Sequence, residues 1–181
     1  VSFGPGDDLI FRSIQTPANA VVRISRDGAR RQQIDGPAVH DKGAVSADGR
    51  WVIVYSPGSG ATDPVATFAV PVDGGPARRI CMPYCAAGWS ADGQFFTIGV
   101  DLDLATAAPN RTLVVPLAEP WSIPALPEPG VHAIFGYAAL AKQPGVRALQ
   151  HGAVAIGPDP TTYVFARAEF HANLFRIPLR R

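Results

Sequence analysis

Two copies of the same four residues, Ser-Ala-Asp-Gly, constrain the fold of this 181-residue chain more than any other feature. The copies begin at Ser46 and Ser90, 44 residues apart, and each lies between apolar runs. Asp-Gly between apolar runs is typical of a tight β-turn, because Asp bonds to its own backbone and Gly accepts a positive φ. A fixed period of about 40 to 50 residues indicates a repeat architecture.

A second pair of turns supports the same period. Asp27-Gly28 and Asp73-Gly74 are 46 residues apart, and each precedes two arginines, Arg30-Arg31 and Arg78-Arg79. We interpret these arginines as charges on the outermost strands of two equivalent units, where they discourage edge-to-edge pairing. This interpretation is favoured over a patch that binds nucleic acid.

Composition is typical of many short strands joined by turns. The chain has 18 Gly and 18 Pro, only 17% charged residues and 47% hydrophobic ones, which favours an all-β fold over disorder. The net charge of +1 gives no electrostatic reason to expect nucleic acid as a partner. No apolar run is long enough to predict a membrane span.

The strand pattern divides the chain into four antiparallel units of four strands. In the third unit the fourth strand is expected at residues 122–123, between Pro120 and Pro124, because an outermost strand tolerates proline best. In the fourth unit the third strand is expected at residues 173–177. The predicted units cover residues 1–35, 36–80, 81–125 and 146–181, with a long connection over residues 126–145.

The turn sequences carry a resemblance to a known family. Trp89-Ser90-Ala91-Asp92-Gly93 resembles the Ser-Pro-Asp-Gly turn of the TolB-type, WD40-like Pro-Asp repeat β-propellers, with Ala in place of Pro. The turn at Ser46 makes the same change, and Gly157-Pro158-Asp159-Pro160 keeps the Pro-Asp pair. The resemblance implies a β-propeller of four-stranded antiparallel blades. It does not imply one function, since such propellers serve as scaffolds, sensors and accessory domains.

The two ends of the chain bear on ring closure. The last unit ends after its third strand, and in a closed propeller of this type the missing outermost strand usually comes from the N-terminal part. Here Val1-Ser2-Phe3 has the pattern of a first strand instead. We therefore expect the chain to be the C-terminal part of a larger propeller whose other blades lie upstream. A closed ring of four blades is the alternative.

The long loops gather at one end of the predicted sheets, and function concentrates on such loops. The aromatic residues Phe135 and Tyr137 either anchor a partner there or fill the inside of their own loop. The histidines and aspartates lack the spacing of a metal motif, so no metal site is predicted. The candidate binding residues are His40, Asp41, Asp101, Asp103, Phe135, Tyr137 and His171.

Cys81 and Cys85 are the only cysteines. Either they form a disulfide that closes a short loop between units, or they are two buried thiols. A disulfide would favour a periplasmic or other extracytoplasmic location, and some bacterial members of the family carry a cysteine pair between blades.

The sequence has none of the common catalytic motifs, such as Gly-x-Ser-x-Gly or His-Glu-x-x-His, so neither catalytic residues nor a cofactor is predicted. We expect a non-catalytic scaffold that binds a protein or peptide through the long-loop end. The alternative is an accessory or sensor domain of a larger enzyme, a serine peptidase or a signalling protein kinase, encoded upstream.

Overall fold

The structure, a computed structural model, describes residues 1–14, 19–58, 65–100, 111–128, 130–132, 136–152 and 154–165. Over these ranges the chain is all-β, as expected, with antiparallel sheets and one single-turn α-helix, α1 (Tyr137–Leu140). No helix within these ranges is long and apolar enough to cross a membrane. The strands are β1 (Ser2–Phe3), β2 (Leu9–Ser13), β3 (Ala20–Ile24), β4 (Arg31–Ile34), β5 (Asp41–Val45), β6 (Trp51–Ser56), β7 (Ala66–Pro71), β8 (Arg78–Met82), β9 (Ala86–Trp89), β10 (Phe95–Val100), β11 (Arg111–Pro116), β12 (Val131–His132), β13 (Arg147–Leu149), β14 (Val154–Ile156) and β15 (Tyr163–Phe165).

The first two sheets contain the strands that the sequence predicts for the first two units. The first sheet has the order β1-β2-β3-β4, and the second contains β5 to β8 in chain order. The second sheet also gains an unpredicted fifth strand, β12, which pairs in parallel with the end of β8. The outer edge of the second sheet is therefore partly covered.

The third sheet differs from the prediction. Its first three strands, β9, β10 and β11, are those expected, but its fourth is β13, at Arg147–Leu149. The prediction of a fourth strand at residues 122–123 is wrong. Pro120 and Pro124 remove two backbone donors from this segment, and the chain there crosses the end of the sheet instead of pairing along its edge.

The last described strands, β14 and β15, form a two-stranded antiparallel sheet. Its turn begins at Gly157, whose N–H donates to the Thr162 carbonyl at 2.9 Å. The strand predicted at residues 173–177 lies outside the described residues.

The second sheet is buried on both faces, which explains why its strands are almost continuously apolar. In β6, Val52 and Val54 belong to a core cluster shared with the first sheet through Ile10. Ile53, which points to the other face, belongs to a cluster shared with the third sheet through Phe96. Because the side chains of β6 alternate between its two faces, this strand packs against both neighbouring sheets. Each fully buried side chain of this kind stabilises the fold by about 1.5–3 kcal/mol.

The two Ser-Ala-Asp-Gly turns are closed by the same set of hydrogen bonds. Ser90 Oγ donates to Asp92 Oδ1 at 2.6 Å and accepts from the Phe95 N–H at 3.0 Å. The Asp92 carboxylate accepts from the Gln94 N–H at 3.1 Å. The buried serine hydroxyl therefore links the acidic side chain of the turn to the first residue of the next strand.

The same bonds recur in two further turns. Ser46 and Asp48 reproduce them between β5 and β6. Ser25 and Asp27 reproduce them between β3 and β4, with 2.6 Å between the hydroxyl and the carboxylate. From the sequence, Asp27-Gly28 is predicted as a turn but is grouped with Asp73-Gly74, because these two turns occupy equivalent positions in their units. The shared feature with the Ser-Ala-Asp-Gly turns is Ser25, two residues before Asp27.

Residues 117–128, hereafter the strap, cross the turn between β9 and β10. The Trp121 N–H donates to the Gly93 carbonyl at 3.0 Å, and Trp89 Nε1–H donates to the Ser122 carbonyl at 2.9 Å. Gly93 has a φ of 72°, and a Cβ at this position would lie only 2.8 Å from Trp121 Nε1. Glycine is thus required for two reasons: the backbone has a positive φ, and the Trp121 indole leaves no room for a Cβ.

We predict that Gly93→Ala destabilises the fold more than Gly28→Ala. Both glycines have a φ of 72°, but a Cβ at Gly28 meets nothing within 4 Å. Gly28→Ala should cost about 1–2 kcal/mol for the left-handed backbone, and Gly93→Ala about 1–3 kcal/mol more for displacement of Trp121. Urea unfolding measures the difference, and equal losses in the two variants would show that Trp121 does not hold the turn.

The turn aspartates have lowered pKa values. Hydrogen bonds from Ser90 and the Gln94 N–H lower the pKa of Asp92, and those from Ser25 and the Ala29 N–H lower the pKa of Asp27. For Asp48, burial raises the pKa, but the bonds from Ser46 and Arg50 together outweigh it and the net shift is downward. The charged carboxylate is therefore the form that the folded turn favours.

We predict that these turns weaken in acid. A carboxylate whose pKa is lower in the folded than in the unfolded chain adds stability above the unfolded pKa, about 3.9 for Asp, and loses it as the pH falls through the folded pKa. Asp92→Asn should lower the free energy of unfolding at pH 7, and the wild-type and variant values should converge towards pH 2.

The matched control is Asp35→Asn, because Asp35 is exposed and makes no side-chain hydrogen bond to any described residue. Chemical unfolding from pH 2 to 7 gives both curves. A wild-type curve that stays parallel to the Asp92→Asn curve over this range would contradict the prediction.

Candidate functional site

The three larger sheets have two distinct ends. At one end, the turn face, lie the tight Asp-Gly turns and the strap. At the other, the long-loop face, β2, β6, β8 and β10 end and β3, β5, β7, β9 and β11 begin. Contacts join neighbouring sheets at both ends: Arg23 bonds to Asp73 at 2.9 Å on the turn face, and the Arg12 guanidinium donates to the His40 carbonyl on the long-loop face.

The first strands of the sheets lie side by side. β5 contacts both β1 and β9, and the Lys42 ammonium group of β5 donates to Ser2 Oγ in β1 at 2.8 Å. A Cβ on Gly88 in β9 would lie 3.5 Å from the Ala44 Cβ. Burial lowers the pKa of the half-buried Lys42, and the nearby Asp41 offsets only part of this effect.

A disulfide between Cys81 and Cys85 closes the loop that leads from β8 to β9 on the long-loop face. Both cysteines are buried. Thr67 Oγ1, also buried, accepts from the Cys85 N–H at 3.0 Å and donates to the Cys85 carbonyl at 2.8 Å. The loop is therefore fixed to β8 by a covalent bond and to β7 by two hydrogen bonds.

Tyr84 projects from this closed loop. Its side chain is 53% exposed, and its ring meets the Tyr55 ring edge to face, with 6.0 Å between centroids. Pro83 beside it is also exposed. Two further exposed apolar side chains, Ile14 and Val65, follow β2 and precede β7 at the same end. The long-loop face thus presents an aromatic group on a rigid support among smaller apolar groups.

The predicted residues His40 and Asp41 both lie on the long-loop face, with exposed side chains. The His40 N–H donates to the Tyr55 carbonyl at 2.7 Å, which continues the β5–β6 ladder. Asp41 Oδ1 accepts from the Lys42 N–H at 2.8 Å. These contacts place the two residues close to Tyr55. The His40 imidazole itself has no hydrogen-bond partner within the described ranges.

Tyr137 is not available to a partner. It is 6% exposed and packs in the core cluster between the second and third sheets, so its ring is part of the core shared by these sheets and not only of the inside of its own loop. Burial raises the pKa of its phenol, which has no hydrogen-bond partner within the described ranges. The other predicted residues, Asp101, Asp103, Phe135 and His171, lie outside the residues that the structure describes.

The described ranges contain no group of three or more His, Cys, Asp or Glu placed to hold a metal ion. His132 pairs with Met82 at the end of β8. His151 stacks on Phe165 with 3.8 Å between ring centroids, and its carbonyl accepts from Thr112 at 2.8 Å. These two histidines therefore lie at the long-loop end, one in β12 and the other after β13.

Tyr84 and Tyr55 are not among the binding residues predicted from the sequence. A signal for Tyr84 was present, because it lies between the two cysteines: when both cysteines turn inward, a residue between them in so short a loop must face outward. Tyr55 gave no such signal, since it ends an apolar strand and has the pattern of a core residue.

Scans of this chain against models of known protein families, against curated proteins and against solved structures gave no match.

We predict that reduction of the Cys81–Cys85 bond destabilises the fold by about 2 kcal/mol, the loop-entropy value for a ring of this size. Thiol titration of the unfolded chain should find no free thiol before reduction and two afterwards. The double variant Cys81→Ala/Cys85→Ala should unfold at the same denaturant concentration as the reduced wild type. An untreated chain that titrates with two thiols would contradict the assignment.

Proposed function

We propose that this chain is a β-propeller, or part of one, that acts as a non-catalytic module and binds a protein or peptide through its long-loop face. The propeller assignment is supported by the meander order of the first two sheets and by the lateral contacts of β5 with β1 and β9. Radially arranged blades place their first strands together in this way.

The observation that carries the binding function is the exposed Tyr84 on its disulfide-closed loop. Tyrosine is enriched among the residues that dominate protein interfaces, because it offers apolar area and a hydrogen-bonding group with few rotatable bonds. The loop is already ordered by the disulfide and by Thr67. Binding at Tyr84 therefore costs little further conformational entropy.

The other exposed residues of the long-loop face favour a polypeptide as the ligand. Ile14 and Val65 supply separate apolar contacts, and His40 and Asp41 supply exposed polar groups. Apolar and polar groups that belong to several loops suit an extended polypeptide better than a small molecule, which binds in one enclosed, concave site. The disulfide also agrees with an oxidising, extracytoplasmic compartment for the interaction.

We predict that Tyr84→Ala weakens binding of selected peptides. Linear peptides would be enriched from a random display library on the immobilised wild-type chain, then measured one by one by calorimetry. Loss of a central tyrosine should weaken binding by about 30-fold, the effect of a typical interface hot spot.

The matched control is Phe3→Ala, which removes an aromatic side chain that is 73% exposed at the turn-face end of β1. It should leave the affinities unchanged, and circular dichroism should show that both variants are folded. Failure to enrich any peptide, or equal affinities for wild type and Tyr84→Ala, would overturn the proposed function.

A further inference from the structure

A pocket of about 510 Å³ lies between the outer part of the second sheet and the strap, on the turn-face side of β8. Its volume falls in the range of about 300–1,000 Å³ that is usual for small-molecule sites. It is separate from the Cys81–Cys85 loop, which lies at the other end of β8. The strap builds its outer wall.

Part of the wall of this pocket is apolar. The strap contributes Ile123, Pro124 and Leu126, and β7 contributes Phe68. Ile123 is buried, while Phe68 and Leu126 are only partly buried. The exposed part of these side chains faces the pocket and can pack against an apolar group.

Two arginines of β8, Arg78 and Arg79, also line the pocket. The Arg79 guanidinium lies 5.3 Å from the centre of the Phe68 ring, a cation–π arrangement that fixes its position. Among the residues that the structure describes, no carboxylate lies within salt-bridge distance of either guanidinium group. Arg79 Nη1–H donates to Met82 Sδ at 4.0 Å, and Nε–H and Nη2–H are the donors that a ligand can use.

This arrangement changes the interpretation of the arginine pair. The sequence predicts Arg78-Arg79 as solvated charges on an open outer edge, but β12 pairs with the end of β8 and the strap covers its beginning. Arg31, the second arginine of the first pair, is exposed on β4. The second pair combines charge with a partly apolar enclosure.

We propose that this pocket binds a small amphipathic carboxylate. The carboxylate would accept hydrogen bonds from Arg79, since the guanidinium fork matches a carboxylate in geometry and charge. Arg78, which starts from the opposite face of β8, adds positive charge at the same edge. The apolar part of the ligand would pack on Phe68, Ile123 and Leu126. Glu128 lines the pocket on the strap side. Its negative charge repels an anion and therefore weakens binding.

The test uses 3-phenylpropionate as the probe, with 3-phenylpropanamide as its neutral counterpart and inorganic phosphate as an anion without an apolar part. Titrations of the full chain are followed by amide resonances of residues 68–79 and 123–128. We expect saturable shifts with the carboxylate and none with the amide or with phosphate. Absence of saturable binding, or equal binding of the amide or of phosphate, would overturn the proposal.

Three variants give the charge dependence. Arg79→Gln should weaken 3-phenylpropionate binding at least about ten-fold, as loss of a charge-assisted hydrogen bond does. Glu128→Gln should strengthen it about two- to fivefold, through loss of a surface repulsion. Arg31→Gln, the control, should leave it unchanged. Because Glu128→Gln acts in the opposite direction, a folding defect in Arg79→Gln cannot imitate the expected pattern, and unchanged affinity in both pocket variants would refute the site.

Discussion

The hydrogen bonds of the Ser-x-Asp-Gly turn are the constraint on which the rest of the structure depends. In each of three turns a serine hydroxyl donates to the aspartate and accepts from the backbone N–H five residues later. That N–H belongs to the first residue of the next strand in two turns and to the residue before it in the third. These bonds fix where one strand ends and the next begins, and hence the register of the hairpin. Because a slip of one residue would turn every core side chain to the opposite face, the turns also determine which residues form the two core clusters.

The strap depends on one of these turns. Its indole lies over Gly93, and its backbone meets the strands on either side, with the Leu117 N–H donating to the Gln94 carbonyl at 2.8 Å. From there the chain reaches the second sheet, where Gly130, at a φ of 107°, lies against the backbone of Arg79 and Ile80. The turn between β9 and β10 thus sets the position of a pocket wall in the neighbouring sheet.

Local patterns were sufficient to predict most of the fold. The Asp-Gly turns and apolar runs gave the strands of the first two sheets, because turn chemistry and strand alternation act over a few residues. They were not sufficient for β13, which joins the third sheet about 30 residues after β11, or for the parallel pairing of β12. Such pairings are decided by long-range packing, and Arg147–Leu149 has no local feature that distinguishes an outer strand from a loop.

Prediction of the candidate site was less complete for a related reason. His40 and Asp41 could be placed, since the end of the sheet at which a strand begins follows from the strand count. The environment of an aromatic side chain does not follow from that count. Tyr137 lies in the core and Tyr84 at the surface, although both occur in connections between strands; burial depends on which neighbours the fold brings to each of them.

The insertion of the strap between the third and fourth strands of the third sheet has a consequence for the evolution of the chain. Repeat proteins commonly gain and lose whole units, because each unit contacts only its neighbours and completes its own structure. Here the path to β13 first adds β12 to the second sheet. Deletion of the third sheet with its connections would also remove β12 and leave the outer edge of β8 open, so loss of this unit would damage its neighbour as well.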